Sequence, residues 1–204
     1  MKWTQLINMS LFNPSREKAP KGRRIRKFLR ESEIMKLIEA ARGVGRCRHR
    51  DATLILIMFR HGLRISEATN LTWAQVDLHA KRLFVRRLKN GKPSIHELSG
   101  GEIKALKVLR KHPADQSTYV FTSTQGGALD RSTAGKMIRR AGEHAKLEVS
   151  VNTHMMRHSC GYHLINVRKI DPRRIQDYLG HKDIRHTVAY TELDENKFDG
   201  IWGD

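Results

Sequence analysis

Cysteine is scarce in this chain of 204 residues, since only Cys47 and Cys160 occur and they are not spaced as a pair. The sequence therefore lacks the cysteine pattern of a disulfide-stapled secreted protein. Long apolar runs are also missing, because the longest, residues 54–59, is far too short to span a bilayer. The first residues do not show the charged and then apolar pattern of a secretory signal. These absences predict a cytoplasmic protein that does not act in a membrane.

Acidic residues are few relative to basic ones. The chain has 21 Asp and Glu against 39 Lys and Arg, which gives a formal net charge of +18. This excess goes beyond what solubility requires and predicts a polyanionic partner, most simply double-stranded DNA or another nucleic acid. A membrane surface would attract the same charge, but the sequence contains no long amphipathic segment with a basic face.

The chain divides into two regions of different composition. Residues 1–28 contain two prolines and a basic cluster without a sustained apolar period, which predicts a basic arm. One domain is predicted for residues 29–204. A domain of this length buries roughly 70% of the surface of its unfolded chain, so it does not need a disulfide bond to remain folded.

The pattern of apolar residues predicts a mainly α-helical domain with a small antiparallel sheet. Short apolar runs between Val76 and Ile95, broken by Asn90-Gly91, predict strands joined by a tight hairpin turn. A further short strand is expected at 119–122. Helices are expected over 31–42, 50–61, 66–71, 101–111 and 130–147, the last capped by Asp130, then from a cap at Thr153, and from Asp171 to Gly180.

Four groups of residues are arranged as in a known family. In chain order they are HGLRISE at 61–67, HMMRH at 154–158, LGH at 179–181 and Tyr190, nine residues after His181. Each group alone is weak evidence, but four in this order with the matching final spacing are specific. Over about residues 30–204 the chain resembles the tyrosine recombinase, or phage integrase, family. It is most similar to the small fimbrial phase-variation recombinases, which invert a promoter segment, through RLKNG at 87–91, IQDYLGH at 175–181, IRHTV at 184–188 and FDGIW at 198–202.

The resemblance implies cleavage of a DNA strand without a metal or other cofactor. A phenol with a pKa near 10 is only about one part in a thousand ionised at neutral pH, so its attack on phosphorus needs help with proton and charge. A guanidinium stays charged and offers paired N–H groups to phosphate oxygens. The implied roles are Tyr190 as nucleophile, Arg64, Arg157 and His181 as phosphate donors, His154 as proton-transfer group at the nucleophile, Lys89 as acid for the leaving 5′ oxygen, and Glu67 as the group that orients an arginine.

Several neighbouring residues are given other roles. Lys92 competes with Lys89 for the role of the acid. His154 and His158 are spaced i, i+4, but the acidic residue and the third ligand of a metalloprotease pattern are missing, so no metal site is expected. His158 and His186 are predicted to pack or to form hydrogen bonds rather than to catalyse.

The charge and the resemblance also imply an assembly on DNA. Because exchange of four strands needs four nucleophiles, a homotetramer on two recombination sites is expected, with DNA-bending accessory proteins as further partners. Residues 1–28 are too few for the separate amino-terminal domain of most family members. An apolar stripe predicts a helix over 194–204 that docks onto its own domain or onto a neighbouring subunit. Candidate DNA contacts are Arg23, Arg24, Arg26, Lys92, Arg139 and Arg140.

Site-specific DNA recombination, by inversion or by integration and excision, is thus the function that the sequence predicts. Two alternatives stay open. One is relaxation of supercoils by a monomer, as in type IB topoisomerases, which would need no paired sites. The other is a DNA-binding regulator that uses the same scaffold without cutting.

Overall fold

The computed structural model describes residues 26–88, 91–110 and 117–193. The predicted arm up to residue 25, Lys89 and the predicted docking helix 194–204 lie outside this part of the chain. Within it the fold is mostly helical with one three-stranded antiparallel sheet, as predicted. The elements are α1 Glu31–Gly43, α2 Arg48–His61, α3 Ile65–Thr69, β1 Val76–Asp77, β2 Arg82–Val85, β3 Ser94–Glu97, α4 Gly100–Arg110, α5 Arg131–His144, α6 Thr153–Tyr162, a π-helical turn His163–Val167, α7 Pro172–Leu179 and α8 Arg185–Val188, with 3-10 turns at Trp73–Gln75 and Thr191–Leu193.

Helix α2 lies at the centre of the domain and packs against α1, α4, α5 and α6. Every residue from 51 to 59 is buried, which explains why this segment is apolar on all sides. Gly62 ends the helix in the left-handed conformation, with φ of 57°. A Cβ at this position would come within 2.3 Å of Leu179 Cδ2, so glycine also permits the close approach of the end of α7.

The sheet has the order β1-β2-β3, and Leu83 lies opposite His96. Its last pair is Val85 with Ser94, so residues 86–93 connect β2 to β3. Asn90 lies outside the described residues, so the tight hairpin turn at Asn90-Gly91 stays a prediction. Beyond this last pair, the backbone N–H of Leu88 donates to the side chain of Glu67 at 3.2 Å.

The segment 119–122 also differs from the prediction, because it makes only isolated bridges, from Thr72 to Tyr119 and from Thr122 to Ala128. The N–H of Val120 donates to the carbonyl of Leu71 at 2.8 Å, so the segment pairs with a loop and not with the sheet. A strand pattern of this length does not reveal its partner.

The helix starts follow from local capping. Asp130 accepts from the N–H groups of Ser132 and Thr133 and begins α5 as predicted. The cap of α6 was misassigned: Asn152 Oδ1, not Thr153, accepts from the N–H groups of residues 154 and 155, at 3.1 and 3.2 Å. Both residue types cap well, so the sequence could not fix the start to one residue. None of the helices in the described ranges is long and apolar enough to cross a bilayer.

Candidate active site

Arg64 and Glu67 form the first part of the site, at the start of α3. Arg64 is the N-cap residue, and its backbone N–H donates to Glu67 Oε2 at 2.9 Å. Its guanidinium donates to Glu67 Oε1 at 2.7 Å while the side chain stays 30% exposed. The predicted role of Glu67 in orienting an arginine thus has a geometric basis, and the exposed part of Arg64 can still reach a ligand.

Arg87 is a buried partner of Glu67 that sequence reasoning missed. Its guanidinium donates to Glu67 Oε2 at 3.0 Å and to the carbonyls of His61 and Gly62 at 3.1 and 3.3 Å. It also donates to the carbonyl of Tyr178, which ties the end of α2 to the end of α7. The signal was present in the sequence, because Arg87 continues the period-two pattern of the inward-facing Leu83 and Val85.

Glu67 remains ionised despite its burial. Burial alone would raise the pKa of this carboxyl, but the backbone N–H of Arg64 and the charge of Arg87 outweigh it and hold the pKa below its ordinary value. The side chain of Glu67 is 2% exposed and that of Arg87 is fully buried. The carboxylate is therefore a fixed negative charge between two guanidinium groups.

Arg157 joins two elements of the site from α6. Its guanidinium donates to the carbonyls of Gly62 and Leu179, both at 2.7 Å. Burial, together with the positive charges of Arg64 and Arg87, lowers its pKa to about 10, so that it stays charged at neutral pH. Two of its five N–H groups are used in these bonds, which leaves others for a ligand.

His181 follows Gly180, the left-handed residue that ends α7. Its Nδ1 lies 2.8 Å from the hydroxyl of Thr187, which is fully buried. Burial, and then the charge of Arg157, lowers the pKa of His181 to about 3, so the ring is neutral at neutral pH. A Thr187 hydroxyl that donates to Nδ1 leaves the ring proton on Nε2, where it can serve as a hydrogen-bond donor.

Tyr190 lies inside this cluster and is only 5% exposed. Its ring packs on Gly161, where a Cβ would come within 2.3 Å of Tyr190 Cε2, and its centre is 6.4 Å from that of His181. The hydroxyl lies 3.1 Å from Nδ1 of His158. Burial raises the pKa of Tyr190 to about 12, although the charge of Arg157 opposes this shift. The phenol is therefore protonated at neutral pH.

The structure thus brings together five of the seven predicted catalytic and supporting residues. Arg157 and Arg64 both lower the pKa of His181, and Arg157 opposes the rise in the pKa of Tyr190, so these side chains lie close enough to influence one another. His154 is exposed at the start of α6, and Lys89 is outside the described ranges. Gathered at the site are Arg64, Glu67, Arg157, His181 and Tyr190, with Arg87, His158 and Thr187 as additions that the sequence did not single out as site residues.

The candidate DNA contacts are dispersed. Arg26 forms an ion pair with Glu33 at 2.5 Å, and Lys92, Arg139 and Arg140 are exposed. Arg23 and Arg24 precede the first described residue. In the parts of the chain that are described, no three His, Cys, Asp or Glu side chains cluster as metal ligands.

A second polar cluster lies behind the site and links α2, α4 and β3. His61 Nε2 lies 2.7 Å from Glu102 Oε1, and His61 Nδ1 lies 3.1 Å from His96 Nδ1. The ring of His96 stacks on Tyr178 with a centroid distance of 3.8 Å. Burial would raise the pKa of Glu102, but His61 outweighs it and lowers the pKa to about 2. Burial, and then the neighbouring His61, lowers the pKa of His96 to about 2.

This cluster predicts a loss of stability in mild acid. The unfolded chain protonates His96 as the pH falls below 6.5, whereas the folded protein keeps it neutral. The stability that the neutral His96 contributes to the fold is therefore complete above pH 6.5. It is lost towards lower pH, and the free energy of unfolding falls by up to about 1.4 kcal/mol per pH unit. We expect the free energy of unfolding in urea to fall between pH 7.5 and pH 5, and to fall less steeply in His96→Gln. Equal slopes for the two proteins would contradict the assignment.

Comparison with known proteins gives consistent matches. Residues 27–197 match the phage integrase family. The type 1 fimbriae regulatory protein FimB of Escherichia coli K12 is 42% identical over 181 residues, which are 87% of this chain and 90% of that protein.

Two solved recombinases share the fold. The structure of the XerA recombinase superposes with a TM-score of 0.72 at 28% identity, over 88% of this chain and 63% of that one. The XerH site-specific recombinase bound to its difH substrate, before cleavage, gives a TM-score of 0.69 at 25% identity, over 89% and 54%. The chain spans less than two thirds of the length of these two solved proteins.

Proposed function

Because the chain belongs to the phage integrase family of tyrosine recombinases, which recombine DNA at specific sites, we propose that it cuts a DNA strand through Tyr190. The observation that carries this proposal is the position of the Tyr190 phenol within one cluster with Arg64, Arg157 and His181. These three side chains come from α3, α6 and the turn after α7, and together they offer the donors that a phosphate needs.

The charges of the cluster suit the pentacoordinate phosphorus of an in-line displacement. The side chain of Arg64 is 30% exposed, so a phosphate can approach it from solvent. Arg157 is fixed by two carbonyls and contributes a positive charge that does not need to reorganise. His181, neutral and oriented by Thr187, adds a donor without adding a further full charge. Each such donor accounts for about a hundredfold in rate or more.

The reaction conserves the energy of the bond that it breaks. The Tyr190 oxygen becomes bonded to phosphorus at the 3′ side, and the 5′ oxygen leaves as a hydroxyl. Lys89 is the proposed acid for that oxygen, and His154 a proposed proton-transfer group. Rejoining reverses these steps on another strand, so neither ATP nor a metal is required by the chemistry.

The proposed partner is a DNA duplex that carries recombination sites. FimB is named as a regulator of type 1 fimbriae, and this similarity supports inversion of a promoter segment as the biological role. Four strands must be exchanged for a complete reaction, so we propose a tetramer on two sites, with residues 194–204 docking between subunits. The large positive charge of the chain supports binding along the phosphate backbone.

The decisive experiment uses a nicked suicide duplex that carries the recombination site, incubated with the protein in EDTA. We expect a covalent protein–DNA adduct that resists boiling, and peptide mapping should place the nucleotide on Tyr190. Because the chain has four tyrosines, mapping distinguishes the nucleophile from Tyr119, Tyr162 and Tyr178. The non-cutting regulator would form no adduct, and an adduct on another tyrosine would contradict the assignment of Tyr190.

A dependence of the reaction on paired sites distinguishes recombination from the relaxation expected of a topoisomerase. A supercoiled plasmid with two inverted sites should yield inverted segments, whereas one with no site should remain supercoiled. Relaxation that is equally fast with and without sites would instead favour a monomeric relaxing enzyme.

A further inference from the structure

The segment that carries the nucleophile, residues 182–193, has few buried side chains. Within it Thr187 and Tyr190 are buried, while residues 185, 186, 188, 189, 192 and 193 are exposed. The hydroxyl of Thr187 lies next to His181, which directly precedes the segment in the chain. The position of the nucleophile relative to α6 therefore depends mainly on the contacts that Tyr190 itself makes.

Tyr190 contacts α6 and the π-helical turn at three points. Its hydroxyl lies 3.1 Å from Nδ1 of His158, and its ring packs on Gly161. Its backbone carbonyl accepts a hydrogen bond from the side-chain amide of Asn166 at 2.9 Å. The N–H of Leu193 also donates to this carbonyl, at 3.2 Å, but that bond closes a turn within the segment. Among the described hydrogen bonds, the one from Asn166 thus links the backbone of the nucleophile to the body of the domain.

The π-helical turn explains how Asn166 reaches this carbonyl. In an unbroken α-helix, the face that carries His158 and Gly161 would continue one residue before Asn166, by the i, i+3, i+7 spacing. Here the N–H of Arg168 donates at 2.9 Å to the carbonyl of His163, five positions earlier, so the turn holds one more residue than an α-helical turn. The extra residue moves that face on to Asn166. Such turns are rare and occur frequently at functional sites.

The bond from Asn166 restrains the residue whose side chain has to attack. A phenolic oxygen must lie in line with the bond that it breaks, and a misplacement of about 1 Å can cost about a hundredfold in rate. The amide of Asn166 is neutral, so it donates at any working pH and adds no charge to the cluster around Arg64 and Arg157. It can therefore fix the backbone of Tyr190 without disturbing the electrostatics of the site.

We propose that Asn166 is a positioning residue, which holds the backbone of Tyr190 so that the phenol is placed for attack on the DNA. This inference rests on the proposed function, because it concerns the same nucleophile. Asn166 does not touch the reacting atoms and moves no proton, so the proposed role of His154 is unchanged. Its contribution is geometric, and it should affect the rate of cleavage rather than the affinity for DNA.

The test compares Asn166→Ala and Asn166→Asp with the wild type on the suicide duplex, in single turnover with the protein in excess. Aspartate has nearly the shape of asparagine, but its carboxylate can only accept hydrogen bonds and would face the carbonyl of Tyr190 as a second acceptor. We expect the cleavage rate at saturation to fall about tenfold in Asn166→Ala and further in Asn166→Asp. The protein concentration that gives half of the maximal rate should not change.

The order of the two variants separates positioning from space filling. If Asn166 only filled space, aspartate would be the milder change, because it keeps the volume that alanine removes. A milder effect of Asn166→Asp would therefore overturn the proposal, and so would a wild-type rate in both variants. Partial unfolding of a variant lowers the yield of adduct and not the rate constant of the folded fraction, so the rate constant is the quantity to compare.

The matched control is Asn70→Asp, because the side-chain amide of Asn70 also donates to a backbone carbonyl at 2.9 Å, that of Ser66. This bond is exposed and does not involve Tyr190, so the cleavage rate should stay within about twofold of the wild type. A fall as large as that in Asn166→Asp would contradict the proposal, since an added negative charge would then be sufficient to slow cleavage.

A measurement on the free protein separates this inference from the proposed function. With fluorinated tyrosine incorporated, the four tyrosines give fluorine NMR signals, and the signal lost in Tyr190→Phe is that of Tyr190. We expect this signal to shift or broaden in Asn166→Asp while that of Tyr119 stays in place, and an unchanged Tyr190 signal would contradict the positioning role. If the signal changes but the wild type forms no adduct, the proposed function fails and the role in cleavage fails with it. If the wild type forms its adduct on Tyr190 and the Asn166 variants cleave at full rate, this inference alone fails.

Discussion

Tyr190→Phe is expected to lose strand cleavage by at least about 10⁴-fold, the order found when an enzyme loses its nucleophile. Phenylalanine keeps the ring that packs on Gly161, so it removes only the hydroxyl and its hydrogen bond to His158. The cationic residues around the phosphate remain in place, and DNA binding should therefore change little. The measurement is the yield of covalent adduct over time, with binding determined separately on an uncleaved duplex.

The matched control is Tyr178→Phe, because Tyr178 is partly buried and its hydroxyl donates to the carbonyl of Arg60 at 2.9 Å. Tyr190→Phe loses the contact with His158, and Tyr178→Phe loses its bond to Arg60 and a longer contact of 3.4 Å with His61 Nδ1, at a cost of about 1 kcal/mol of stability for each hydrogen bond. Similar unfolding free energies with very different cleavage rates would assign the effect to chemistry. If Tyr190→Phe still forms an adduct at the wild-type yield, the nucleophile lies elsewhere and the proposed mechanism is wrong.

The sequence predicted the fold where local signals and periodicity agree. The buried run of α2, its glycine stop at Gly62 and the Asp130 cap of α5 each follow from rules that act within a few residues. The predicted membership of the tyrosine recombinase family is confirmed by the family match. The structure also brings five of the predicted site residues into one cluster. Apart from Arg64 and Glu67, which are three positions apart, these residues lie far apart in the chain, so periodicity alone could not have grouped them.

The prediction failed where contacts between distant segments decide the outcome. The backbone N–H of Leu88 donates to Glu67, twenty-one positions earlier, and no pattern of neighbouring residues predicts this contact. His158 was predicted to pack or to form hydrogen bonds, but the sequence could not identify its partner, Tyr190, which is thirty-two positions away. The burial of a side chain cannot be read from the sequence either, and burial lowers the pKa values of His158 and His181, so that both rings are neutral.

Arg87 is the residue with the largest predicted effect on stability. Its guanidinium is fully buried and donates hydrogen bonds to the carboxylate of Glu67 and to the carbonyls of His61, Gly62 and Tyr178. Arg87→Met fills much of the same space but leaves a buried carboxylate without its main charge partner and removes the donor of three carbonyls. We expect a loss of about 3–5 kcal/mol in the free energy of unfolding, measured in urea. Cleavage should fall as well, because Arg157 shares the Gly62 carbonyl with Arg87.

Arg86→Met is the matched control, since Arg86 is the adjacent arginine and its side chain is exposed. It removes the same charge and should change stability by less than about 0.5 kcal/mol. A second variant tests the mechanism of the loss. In Arg87→Met with Glu67→Gln the carboxylate is neutralised, so the double variant should be more stable than the sum of the two single losses predicts. Strict additivity would show that Arg87 stabilises the domain through the carbonyls of α2 and α7 rather than through the charge of Glu67.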